Sequence, residues 1–258
     1  MGLVAKGHPP DLGEGRGEGL SITSTSSTAS TPTTATIIDP RPAPARTLKR
    51  VLDLAGAALL TVMAGPLLAI ACVAIRIESR GSPIYRQRRV GKGGAQFDLF
   101  KLRTMVSGAE KMGAGLVVDH GDPRITRVGA ILRRFSLDEL PNLFNVLMGD
   151  MSLVGPRPTV QVQVAQYSER QLQRLAVEPG ITGWAQIKGR AALPWHERIE
   201  LDLWYIQKWS LRLDLRILAA TARLLLTGKG LYRGGTGGWR PEADAERRAA
   251  KRPREPSR

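Results

Sequence analysis

The 258-residue chain has little of what marks several common protein classes. Its single cysteine, Cys72, excludes an internal disulfide. Set among Ile70, Ala71, Val73 and Ala74, this thiol reads as a buried small hydrophobe and is compatible with a reducing cytoplasmic compartment. Neither GxGxxG nor GxxxxGK[ST] occurs, so Gly91, Gly93 and Gly94 read as turn residues rather than a nucleotide loop. The first 40 residues contain no apolar run of signal-peptide length. Acid is scarce: 23 Asp and Glu stand against 38 Lys and Arg, a formal charge of +15. The first 45 residues carry −1 and residues 228–258 carry +5, which leaves +11 on residues 46–227. A surplus of that size favours polyanionic partners: nucleic acid, anionic lipid headgroups or phosphorylated substrates.

Large apolar side chains are scarce in residues 21–36, a Ser/Thr-rich stretch with Ile22 alone of that kind, followed by the prolines from Pro40 to Pro44. Such a segment cannot offset its ordering entropy, so residues 1–45 are expected to form a disordered tail and 228–258 a basic, disordered one. Residues 46–227 then make one domain of ordinary size. Within it, charge is absent from Leu54 to Ile75, 22 residues that as one helix would reach about 33 Å, enough for a hydrocarbon core of about 30 Å. Gly65 and Pro66 lie at the midpoint, where proline removes a backbone donor and predicts a broken helix. Lys49 and Arg50 precede the segment, and Arg76, Arg80, Arg86, Arg88 and Arg89 follow it. The positive-inside rule therefore assigns both ends to the cytoplasm, which favours a re-entrant segment over a kinked span or a buried core helix.

Residues 84–90 and 96–103 alternate around the glycine-rich turn and predict a β-hairpin. Lys101 and Arg103 project to one side of its second strand, as solvated charges or as a phosphate-facing pair. Residues 124–135 and 140–148 carry helical spacing, with Ser136-Leu-Asp-Glu at their junction. Ser136 and Glu139 have capping-box spacing, whereas Pro141 suits a helix that starts after Asp138 or Glu139. Either register places the adjacent carboxylates Asp138 and Glu139 near a helix N-terminus, whose dipole favours their ionised form and suits a nucleophile. Arg157, between two prolines in Gly155-Pro-Arg-Pro, sits on a stiff mount. Residues 179–190 read as a glycine-punctuated connector and 195–226 as helical. Aromatic residues are only 5% of the chain, yet four of five tryptophans lie between positions 184 and 209, fitting either a membrane-interface belt or a packed aromatic core.

Over residues 47–227 the chain resembles the bacterial sugar transferases, specifically the monotopic polyprenyl-phosphate phosphoglycosyl transferases in their minimal form. The resemblance rests on KRVLDLAGAALL, the helix-breaking midpoint, YRQRRVGKGGAQFDLFKLRTM, DPRITRVGAILRRFSLDELPNLFNVLMGDMSLVGPRP, PGITGWAQIKGR and DLWYIQKWSLRLDLRIL. It implies a mostly helical α+β fold: a re-entrant broken membrane helix (54–75), with Gly65 and Pro66 at the break, and a small catalytic part (76–227) with a β-hairpin and interfacial amphipathic helices. The family usually has Ser-Pro at the break. It also implies transfer of a sugar-1-phosphate from a nucleoside diphosphate sugar, usually a UDP-sugar, to undecaprenyl phosphate, which begins surface-glycan synthesis such as that of exopolysaccharide on the cytoplasmic face of the membrane.

Carried onto this sequence, the resemblance makes Asp138 the nucleophile and a Mg²⁺ ligand, Glu139 its partner in the acceptor step, and Arg133 and Arg157 phosphate contacts; Lys101 and Arg103 join them as candidate phosphate-binding residues. The physical need is clear. A carboxylate approaching a diphosphate meets like charge worth about 4 kcal/mol per pair of unit charges at about 4 Å and an effective dielectric of about 20, about a thousandfold in rate unless cations cancel it. The expected partners are the donor, the lipid acceptor and the bilayer, without nucleic acid, and a homodimer is compatible with the chain. A membrane-tethered basic binding module, which leaves the carboxylate pair and the Gly155–Pro158 motif unexplained, and an inactive scaffold, against which the intact pair and both arginines argue, are the alternatives.

Overall fold

The computed structural model describes residues 37–109, 112, 122–189 and 193–227. The expected tails therefore lie outside the described residues except for 37–45. That stretch is held to the domain. Arg41, 6% exposed, donates to Asp39 Oδ2 (2.8 Å) and Glu178 Oε2 (2.7 Å), and Lys92 bridges the same two carboxylates.

One helix dominates: α1, Ala43–Glu78, is 36 residues long, or about 54 Å if straight. The break expected at Gly65-Pro66 does not interrupt it. Proline deletes a single donor, and helical geometry continues on both sides. Its surface divides sharply along its length. Lys49, Asp53 and Ala57 near one end, and Ala71 and Ile75 near the other, are buried against the domain, while Leu59, Leu60, Val62, Met63, Leu67 and Ile70 between them are exposed. Cys72 is half-buried against the packing around Ala71, Ile75, Leu102 and Leu132.

The antiparallel hairpin forms as predicted, β1 (Ile84–Val90) with β2 (Gln96–Leu102), in the register Tyr85↔Lys101 and Arg89↔Phe97. Its turn uses Gly93 and Gly94 at φ 63° and 86°, a left-handed backbone that favours glycine. Helix α2 (Arg127–Arg134) and α3 (Asn142–Met148) flank a 3₁₀ turn at Leu137–Glu139. A second, parallel pair was not legible in the sequence: β3 (Ser152–Val154) lies beside β4 (Gly180–Thr182). It requires glycine at the contact, because a Cβ on Gly180 would stand 2.0 Å from the Gly155 nitrogen. Short helices α4 (Gln161–Val164), α5 (Glu169–Leu172) and α6 (Trp184–Lys188) fill the connections. The predicted helix 195–226 divides at residues 208–210 into α7 (Trp195–Gln207) and α8 (Leu211–Thr227).

The main core joins Ala57 of α1 to Phe97, Leu99, Val146, Met151, Val154, Tyr205 and Ile217. The tryptophans belong largely to packing: Trp184 and Trp204 stack at 4.9 Å, and Trp209 packs on this core and donates to Asp214 at 3.1 Å.

Candidate active site

The carboxylate pair is positioned by α1 from two directions. Glu78, the last residue of α1, accepts hydrogen bonds from the Arg127 and Val128 amides and so caps the start of α2, which Thr126 also caps through Gly129. Arg50, about two turns inside the other end, donates to the Val146 and Leu147 carbonyls at the end of α3. Asp138 and Glu139 occupy the turn between those two helices. Ser136 enters that turn in the left-handed conformation, φ 54° and ψ 25°, and its side chain makes no cap hydrogen bond. The capping-box reading therefore fails, and Glu139 is free to point elsewhere.

Glu139 faces a pair of cations. Lys101 Nζ donates to its Oε1 at 3.2 Å, and Arg157 donates to both carboxylate oxygens, at 3.3 Å to Oε2 and in a shorter contact to Oε1. Asp138 is half-buried and accepts no hydrogen bond and forms no ion pair among the described residues. The two acids separate accordingly. Burial works to raise the Glu139 carboxyl, but Arg157 and Lys101 outweigh it and hold it far below the usual carboxylate range. Burial and the neighbouring Glu139 charge push Asp138 upward, against the opposing pull of Lys101, Arg133 and Arg157. The two acids thus sit in opposed settings, Glu139 pulled down by its cations and Asp138 pushed up by burial and by Glu139.

The remaining candidates divide. Arg133 is fixed by a 2.8 Å bond from its Nε to Thr104 Oγ1 and contributes to the field at Asp138. A Cβ on Gly129 would lie 2.1 Å from the Thr104 carbonyl, so glycine is what lets α2 approach this segment closely. Arg103 is not brought to the pair: its guanidinium donates to the Arg80 carbonyl (2.9 Å) and to Ser79 O (2.7 Å) and Oγ (2.9 Å), closing the C-terminus of α1. The strand ends at Leu102, and the alternation that would have aligned Arg103 with Lys101 ends with it. Gly65 and Pro66 lie in the exposed middle of α1, not at the site.

Sequence reasoning missed the support behind Arg157. Buried Arg174 donates to the Arg157 carbonyl (2.8 Å), to Tyr167 OH (2.7 Å) and to Asp202 (2.7 Å), and stands 5.3 Å from the Trp195 ring. Prolines stiffen the mount, and Arg174 fixes where it sits. No short motif signals this, because its parts lie on separate elements. Among the described residues no three His, Cys, Asp or Glu side chains form a metal cage. Asp138, the acid of the pair with no partner among the described residues, is the side chain that would hold Mg²⁺, which takes one or two protein carboxylates and completes its octahedron with water and substrate phosphate.

A half-buried acidic pair, of which Glu139 is held by Lys101 and Arg157 and Asp138 stands unpaired among the described residues, thus lies in a domain that also carries a helix apolar and long enough to cross a membrane. The chain belongs to the bacterial sugar transferase family, whose model matches residues 44–228. It is 46% identical over 192 residues to the UDP-glucose:undecaprenyl-phosphate glucose-1-phosphate transferase of Caulobacter vibrioides, covering 71% of this chain and 72% of that one. It is 43% identical over 185 residues to EpsL of Bacillus subtilis, an uncharacterized sugar transferase, covering 71% and 90%. A UDP-N-acetylgalactosamine-undecaprenyl-phosphate N-acetylgalactosaminephosphotransferase of Aeromonas hydrophila is 42% identical over 189 residues, 71% of this chain and 44% of its own length.

Proposed function

We propose that the protein transfers a sugar-1-phosphate from a UDP-sugar to undecaprenyl phosphate through a covalent aspartyl intermediate, as the first step of a surface glycan such as an exopolysaccharide. The observation that carries this reading is the asymmetry of the pair: Glu139 is clasped by Lys101 and Arg157, and Asp138 beside it has no partner among the described residues. An Asp138 carboxylate oxygen attacks the sugar-linked phosphorus, forming an acyl-phosphate bond and breaking the phosphoanhydride bond, so that UMP leaves with the bond's electron pair. A phosphate oxygen of undecaprenyl phosphate then attacks the same phosphorus, frees Asp138 and yields the lipid-linked diphospho-sugar. Glu139 assists that acceptor step, and Arg157, Arg133 and Lys101 lower the repulsion between anions. Mg²⁺, held by Asp138 and the donor phosphates, would neutralise further charge there.

The placement of α1 supports a re-entrant segment with both ends at the cytoplasmic face. Its anchors Ala57 and Ala71 both pack on the domain, and the 14 residues from one to the other extend about 21 Å, short of the roughly 30 Å of hydrocarbon that a span must cross. On this reading the exposed apolar middle dips into one leaflet by a bend at Pro66 that leaves the helix continuous, and it brings the acid pair to the headgroup level, where the acceptor phosphate lies.

The test is a panel of UDP-sugars incubated with the purified protein and undecaprenyl phosphate, with released UMP and radiolabel retained on the protein as readouts. Donor-dependent UMP release with covalent label in the wild type, both lost in Asp138→Asn, is the expected result. Ordinary turnover by Asp138→Asn would overturn the nucleophile assignment.

A further inference from the structure

Arg89 has surroundings unlike those of Arg50, Arg103 and Arg174. Arg50 and Arg103 lie on carbonyls at helix C-termini, where the dipole is negative, and Arg174 pairs with Asp202. Half-buried Arg89 has no carboxylate within ion-pair distance among the described residues. Its guanidinium is held by neutral acceptors only, Gln87 Oε1 (3.2 and 2.5 Å) and the Pro158 carbonyl (3.3 Å). Its strongest charged neighbour is another cation, Arg157, and burial together with that repulsion pushes Arg89 down to about 10. Holding a guanidinium away from water beside like charge is unfavourable unless an anion enters to compensate it.

Its position is fixed as well. Strand alternation places Tyr85, Gln87 and Arg89 on the face that carries Lys101, and the end of β1 is stitched to the segment after Arg157 by a 2.9 Å bond from the Val90 amide to the Thr159 carbonyl. Arg89 and Arg157 are thereby set side by side. The charges that act most on Asp138 are those of Glu139, Lys101, Arg133 and Arg157, whereas Arg89 is tied to the residue after Arg157, through the Pro158 carbonyl.

We propose that Arg89 is a further phosphate-binding residue, and that it takes the nucleotide-side phosphate of the donor, the one that departs with the nucleoside. This rests on the reading of the site as a UDP-sugar transferase. The phosphorus under attack lies at Asp138, and the phosphate next to it gains negative charge as the phosphoanhydride bond breaks. A fixed guanidinium one step from Arg157 binds that phosphate in the ground state and stabilises it more as it leaves.

The experiment is calorimetric titration of UMP into the purified full chain, wild type against Arg89→Gln and Arg89→Lys, with KM measured for UDP-sugar and for undecaprenyl phosphate. Arg89→Gln is expected to weaken UMP binding about tenfold or more and to raise the donor KM, with the acceptor KM unchanged. Arg89→Lys keeps the charge without the planar fork and is expected to fall about threefold to tenfold below wild type, which decides the matter if the glutamine variant does not fold. UMP affinity within twofold of wild type in the folded variant would overturn the proposal, as would a wild type that does not bind UMP. Equal loss for donor and acceptor with a lowered melting point would assign Arg89 to the structure alone. UMP binding that depends on Arg89, in a protein that releases no UMP from any UDP-sugar, would instead count against the transferase reading and keep the site.

Discussion

Asp138 and Glu139 share a turn, yet Glu139 receives hydrogen bonds from Lys101 and Arg157 while Asp138 receives none among the described residues. Removing the clasp should therefore cost chemistry more than stability: Arg157→Ala is expected to lower kcat about a hundredfold or more, the range seen when a preorganised charge donor is removed. Arg103→Ala should show the opposite balance. It strips charged hydrogen bonds from the end of α1 and should lower the melting midpoint by roughly 3–10 °C, with a smaller loss of kcat than Arg157→Ala. A kcat loss equal to that of Arg157→Ala would return Arg103 to the phosphate site. Ser136 supplies a third measurement. Its left-handed backbone tolerates glycine and resists a β-branched side chain, so Ser136→Val should destabilise the fold by about 1–3 kcal/mol while Ser136→Gly folds normally. The sequence placed Lys101 and Arg103 together on one side of the strand. Where the strand stops decides which of them turns away, and strand ends are set by packing that no local pattern encodes.

At the level of elements, α1 anchors the site from both sides, with Glu78 capping α2 and Arg50 closing α3. If its middle dips into one leaflet, single cysteines at Leu48 and Ile77 in a Cys72→Ser background should react with an impermeant thiol reagent from the same side of sealed vesicles. Reaction from opposite sides would establish a span. The segment 37–42 is a second anchor, and Asp39 within it and Glu178 opposite give it a pH dependence. Burial alone would raise Asp39 and Glu178, but their hydrogen bonds to Arg41 and Lys92 bring both down to about 2. A depressed folded value means stabilisation that is complete above the unfolded carboxylate range, near pH 4, and is lost as pH falls toward about 2. Asp39→Asn should therefore lower stability at neutral pH and flatten the acid limb of the melting-point profile between about pH 4 and 2. An unchanged limb would show that the segment contributes nothing to the folded state. Part of this was legible: the hairpin and the two helices around the acids followed from alternation and spacing. The strap was not, because Asp39 and Arg41 lie in a proline-rich stretch of low apolar content, and their partners Lys92 and Glu178 are distant in sequence.

Across the whole molecule, a buried polar network joins α1 to the rest of the domain. Lys49 pairs with Asp214 at 2.7 Å and Asp53 at 3.5 Å, Ser152 donates to Asp53 at 2.7 Å, and Tyr205 donates to Asp214 at 2.7 Å. Lys49→Met would leave two buried carboxylates without their cation and should cost about 3–5 kcal/mol, measured as denaturant unfolding in detergent micelles. A smaller loss, under about 1 kcal/mol, would mean that the helix is held by apolar contacts alone. The sequence by itself determined the apolar segment, the hairpin, the helical spacing and the neighbouring acids, because each is written in periodicity or adjacency over a few residues. Only the tertiary structure decided which acid is clasped, where Arg103 points, that Arg174 stands behind Arg157, and that both ends of α1 rest on one body. Those outcomes depend on the meeting of groups far apart in the chain, where burial and competing charges, rather than local propensity, set the geometry.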